Sequence, residues 1–127
     1  MPCRVRLTLP LLVCTIFLHG ACSHSGNGIG AQITGGDPHR GAVAIRRYGC
    51  DTCHVIPGVP GARGLVGPTL AGIGSRTYLG GQLANTSGNL QQWIRTPREI
   101  VPHTAMPDTG VTPSDGRDIA AYLYTLQ

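Results

Sequence analysis

The sequence predicts an all-α domain of three to four short helices joined by long loops. Three observations predict it. Helical spacing of apolar residues recurs in separate stretches, each with a plausible capping residue. The stretches between them are crowded with Gly and Pro, of which the 127-residue chain has 19 and 10. No stretch shows sustained two-residue alternation, so no sheet is expected. Helices this short, with loops this long, cannot enclose a sufficient core from their own side chains. The fold therefore predicts a large apolar group, not supplied by the chain, at its centre.

Taken in order, the N-terminal segment stands apart. Arg4 and Arg6 precede an apolar run from Leu7 to Leu18, and small and polar residues follow from Gly20. That is the layout of an export signal; the run is too short for a membrane span and contains Pro10. The stretch Leu18-His19-Gly20-Ala21-Cys22 is similar to a bacterial lipoprotein cleavage box, with His19 where Leu is usual. Residues 1–21 are read as the signal and Cys22 as a lipidated first residue. Ordinary cleavage among Ser23, His24 and Ser25 is the alternative. Residues 22–36 are rich in Gly and Ser and read as a flexible tether. Its 14 residues after Cys22 would span roughly 20 Å.

The folded domain is placed at 37–127. Asp37 and Pro38 start a helix over 38–50, with Gly41, Ile45 and Tyr48 on one face. Residues 55–68 form a loop, followed by a possible helical turn over 69–73. Thr86 or Ser87 caps a second helix carrying Leu90, Trp93 and Ile94, which Pro97 ends. A loop over 97–111 follows. Thr112, Pro113 and Asp115 open the last helix, whose apolar stripe is Ile119, Tyr122, Leu123 and Leu126.

Charge says little about partners. All ten basic residues are Arg, and losing Arg4 and Arg6 with the signal leaves eight against six acidic residues. No basic groove is interleaved with aromatics, so nucleic acid is not an expected partner.

The chemistry is concentrated in Cys50-Asp51-Thr52-Cys53-His54. This spacing is the c-type haem attachment motif. Two thiols three residues apart can reach the two vinyl groups on one macrocycle edge, and the next residue, His54, comes under the iron. A zinc site would need four ligands, and beyond the two Cys and His103 nothing supplies a fourth. A thioredoxin-like pair belongs at a strand-to-helix junction, which this chain lacks. A plain disulfide leaves His54 unexplained. Met106, in Ala105-Met106-Pro107, is the only Met left after the signal and the candidate sixth ligand, with His103 as its rival; a His/Met pair gives a higher potential than two His.

From about Gly41 to Leu126 the chain resembles class I c-type cytochromes, and especially the cytochrome c domain joined to subunit II of bacterial haem-copper terminal oxidases. The matching residues are Gly49 to His54, Val66-Gly67-Pro68-Thr69-Leu70, Gly74-Ser75-Arg76, Asn85-Thr86 with Asn89-Leu90 and Trp93-Ile94, Met106-Pro107, and Ile119 to Leu123. The resemblance implies the small cytochrome c fold around one covalent haem c, with first and last helices crossing. It implies that the Pro68 carbonyl holds His54, and that Arg76 and Trp93 hold the haem propionates, with Tyr78 a further candidate. The expected activity is electron transfer, not enzymatic turnover, on the periplasmic side of the membrane. Partners implied are a terminal oxidase, a quinol-oxidising complex or a dehydrogenase. Alternatives are a haem subunit of a dehydrogenase complex, or a sensor or enzyme with an open sixth position. The chain departs from many soluble carriers in having no Lys for docking; Arg46, Arg47 and Arg63 are the candidate replacements.

Overall fold

A computed structural model describes residues 27–127; the signal and Cys22 lie outside them. The described chain is mostly helical. Its helices are α1 (Asn27–Thr34), α2 (Pro38–Arg47), α3 (Cys50–Cys53), α4 (Ser87–Arg95), α5 (Pro97–Ile100) and α6 (Pro113–Leu123).

Helix α2 begins as its residues dictate. The Asp37 carboxylate accepts hydrogen bonds from the N–H groups of His39 and Arg40 at 2.8 and 3.2 Å, and Pro38 takes the first turn. Its buried face is Pro38, Gly41, Ala44 and Ile45. The predicted helix over 38–50 stops at Arg47, because the chain breaks at Tyr48 and at Gly49, whose φ is 71°. A left-handed residue cannot continue a helix, and glycine adopts that region at no steric cost. The chain then restarts as the single turn α3, which carries both thiols.

Helix α6 is the spine of the molecule and packs most extensively on α2, then on α1 and α4. Thr112 caps it, accepting from the Asp115 N–H at 3.2 Å. At the α2–α6 crossing a Cβ on Gly41 would collide with the Asp118 carbonyl, so glycine sets the approach of the two backbones. The crossing is clasped by charge. Asp118 is 5% exposed; its carboxylate accepts from the Asp37 N–H at 2.7 Å, Arg40 Nε at 2.7 Å and Arg40 Nη2 at 3.0 Å. The Arg40 guanidinium holds the Asp118 carboxyl below its usual range, with the Asp37 N–H adding to the effect.

Three expectations are corrected. Residues 27–34 are not tether but helix α1, packed on α6. Gly28 and Gly30 suggest a linker, yet Gly30 is buried where a side chain would strike the Ala121 backbone. Pro97 ends α4 and also occupies the first position of α5, so part of the expected loop is a helical turn. The expected turn at 69–73 is displaced to a 3₁₀ turn, Ile73–Ser75. A two-residue ribbon also forms, β1 (Tyr78–Leu79) with β2 (Leu83–Ala84), pairing Tyr78 with Ala84 and Leu79 with Leu83.

Candidate functional site

A cavity of about 510 Å³ lies inside the domain, within the range usual for small-molecule and cofactor sites. Ile45, Leu79, Leu90, Ile119 and Leu123 give it an apolar lining. Six separate segments meet at it. These are the α2–α3 junction, the loop over 66–70, the stretch over 73–80 that includes β1, α4, the loop over 101–111 and α6. Cys50, Cys53, His54, Pro68, Arg76, Trp93 and Met106 all line it, so residues spread over 57 positions converge on one space.

Helix α3 presents the two cysteines, which are free and half-buried. Burial pushes the Cys50 thiol up to about 11. Such a thiol is protonated at neutral pH, unlike the thiolate of a redox pair. Among the described residues no three His, Cys, Asp or Glu side chains converge as a metal-ion site.

His54 follows in extended backbone, its N–H bonded to the Cys50 carbonyl at 3.0 Å. Its Nδ1 lies 2.7 Å from the Pro68 carbonyl oxygen. A carbonyl can only accept, so Nδ1 carries a proton, and in the neutral ring Nε2 is the nitrogen with the lone pair. The loop reaches this position because Gly67 has no side chain; a Cβ there would overlap the imidazole. The Gly67 N–H also donates to the Cys53 carbonyl at 2.8 Å.

Arg76 Nη2 donates to the Thr69 carbonyl at 2.5 Å and the Ala71 carbonyl at 3.1 Å. Its fork is thereby fixed at the cavity edge with donors to spare. The Trp93 ring lies against Gly80, where a Cβ would press on it. Tyr78 lines the cavity too, although it is 60% exposed. Met106 is half-buried, its N–H donating to Thr104 Oγ1 at 3.3 Å. His103, the rival ligand, is exposed and does not line the cavity.

Sequence reasoning missed some contributors. Tyr48 lines the cavity and donates its hydroxyl to Asp115 at 2.7 Å, joining α2 to α6. This bond and the Thr112 hydroxyl hold the Asp115 carboxyl low. The Gly67 cradle was legible only as half of a Gly-Pro pair. Steric exclusion by a glycine leaves no signal beyond the glycine itself.

The donor set suits haem c: two thiols, an imidazole with a free Nε2, a thioether, and polar donors on an apolar cavity. Residues 38–127 match the cytochrome c family, and the chain belongs to it. It is also similar to cytochrome c oxidase subunit 2 of Alkalihalophilus pseudofirmus, at 29% identity over 90 residues. That match covers 70% of this chain and 25% of the relative, so the chain spans about a quarter of that protein's length. No solved structure matches. Family membership implies covalent haem c, an electron-carrying role and a place outside the cytoplasm.

Proposed function

We propose that this domain holds one haem c through thioether bonds from Cys50 and Cys53, with iron bound by His54 and Met106, and serves as an electron carrier in a membrane redox chain. The observation that carries this is the 2.7 Å bond from His54 Nδ1 to the Pro68 carbonyl, beside a cavity that Met106 also lines. Bound there, haem c supplies a one-electron couple between ferrous and ferric iron. The chain's own residues do the rest. Pro68 fixes the imidazole and raises its basicity, leaving Nε2 for the metal. Gly67 keeps the loop clear of the ring. Arg76 and Trp93 offer donors to the carboxylates of the propionates, which need partners in a mostly apolar site. Apolar residues of α4 and α6 exclude water.

Electron transfer is favoured over turnover by the lining itself. Among the described residues it holds no carboxylate and no histidine besides His54, the side chains most often used as acid or base. The partial likeness to an oxidase subunit favours a terminal oxidase as the electron acceptor; a quinol-oxidising complex or dehydrogenase is the second choice. Among the described residues no helix is long and apolar enough to cross a membrane. A lipid on Cys22, at the end of the export signal, is the proposed anchor on the periplasmic face.

The test is attachment. Haem should survive acid-acetone extraction and stay with the polypeptide in a denaturing gel. Replacing both Cys50 and Cys53 with Ala should leave mostly unfolded apoprotein. Haem that extracts freely from the unaltered chain would overturn the proposal.

A further inference from the structure

Helix α1 changes what an anchor on Cys22 would do. It carries no charged residue, and its half-exposed Ile29 and Ile33, 49% and 45% exposed, stand one turn apart on its outer side. The helix is fixed to the domain at its middle and at its C-terminal end. Gly30 packs against the Ala121 backbone. Thr34 Oγ1 donates to the Gly30 carbonyl at 2.8 Å and accepts from the Gly36 N–H at 3.0 Å. One residue on, the Asp37 N–H is held by Asp118. The 14-residue link expected after Cys22 is thereby cut to the four residues between Cys22 and Asn27. Whatever their conformation, five Cα-to-Cα steps reach no further than about 18 Å.

From this we infer that the outer face of α1 lies on the lipid surface, with Ile29 and Ile33 among the headgroups, and that it sets the orientation of the whole domain. The inference rests on the proposed lipid at Cys22, which would hold α1 at high effective concentration beside the bilayer. Apolar side chains on an uncharged helix suit the interfacial zone of a neutral membrane and need no anionic lipid. The orientation has a consequence for function. On α6, Ile119 and Leu123 line the cavity, whereas Ala121, which carries α1, is two positions from each. Two residues correspond to about 200° around a helix. The membrane-contacting helix and the cavity therefore lie on opposite sides of α6. The exposed cavity edge, with Val66 at 76% and its neighbour Leu65 at 87%, is turned away from the lipid toward a partner domain standing above the membrane.

The test uses the haem-loaded, acylated full chain on phosphatidylcholine vesicles, with the iron kept ferrous. A single spin label is attached through Gln32→Cys, beside Ile33, or through Leu65→Cys as the comparison. The mass of the protein reports the acyl group independently. The expected result is that the residue-32 label loses most of its collisions with a water-soluble paramagnet and gains collisions with oxygen, at low and high salt alike. The residue-65 label should stay open to water. Ile29→Gln with Ile33→Gln should restore water access at residue 32 while leaving the haem spectrum and vesicle attachment unchanged. An acylated protein whose residue-32 label is as open as residue 65 would overturn the inference and leave the anchor standing. A bare Cys22 would remove the anchor and the inference with it. Protection at residue 32 that appears before vesicles are added and grows with protein concentration would mean a second copy covers the face, and would also overturn it.

Discussion

The segment from Cys50 to Leu70 and the segment from Val101 to Val111 both line the cavity, yet they are held in different ways. The first is knitted by bonds that span long stretches of chain. Gly67 N–H donates to Cys53 at 2.8 Å and Leu70 N–H to Val55 at 2.9 Å, while Val55 bridges Arg63. The Tyr122 hydroxyl of α6 donates to the Pro57 carbonyl at 2.7 Å, fastening the loop to the spine. Among the described residues the second segment has only local bonds: Val101 to Pro97 at 2.9 Å, Thr104 to Val101 at 3.0 Å and Met106 to Thr104 at 3.3 Å. Each spans four residues or fewer. The His54 side is thus built into the fold. The Met106 side takes its place from packing around buried Val111 and from the group that fills the cavity. Local opening should begin at the second segment.

The comparison can be broken most forcefully at Gly67. Replacing it with Ala drives a methyl into the His54 ring, and overpacking of this kind should destabilise by about 2 to 3 kcal/mol in denaturant unfolding of the haem-loaded protein. If Gly67→Ala is neutral, the His54 side is not the rigid one. A smaller effect is expected at the α2–α6 clasp. Asp118→Asn should cost about 2 kcal/mol at pH 7, the scale of hydrogen bonds to a charged group. The Asp118 carboxyl is held below its ordinary 3.8, so its contribution is complete above that value and is lost as pH falls through the folded-state value. The gap between the unaltered and Asn forms should therefore begin to narrow below about pH 4 and close as pH falls through the folded-state value, measured by unfolding at stepped pH. The smallest effect on stability belongs to the looser side. Thr104→Ala should cost about 0.5 kcal/mol, yet it should speed the entry of imidazole at the iron in stopped-flow mixing.

Much of this site was legible in the sequence because its residues are scarce. Two Cys and one Met in residues 37–127 leave few ways to build a haem site, and Pro68 and Pro107 mark loops whose positions the structure retains. What could not be read was set by contacts distant in sequence. Helix α1 carries two glycines that cost it helix propensity, about 1 kcal/mol each against Ala, so local pattern reads it as a link. Its stability comes from α6, some ninety positions away. The Tyr48–Asp115 and Arg40–Asp118 pairs join residues 67 and 78 apart. Pro97 was ambiguous for a different reason, since the same residue ends one helix and opens another.

The central claim, that Met106 completes the iron and makes this domain a carrier, is tested most directly by ferric and ferrous spectra of the unaltered protein beside Met106→Ala. The unaltered ferric protein should show the weak long-wavelength charge-transfer band of sulfur-to-iron ligation, and its ferrous form should bind carbon monoxide slowly or hardly at all near neutral pH. Met106→Ala should lose the band and open the iron to carbon monoxide, while His103→Ala should change neither. An unaltered protein that lacks the band and binds carbon monoxide readily would contradict the account.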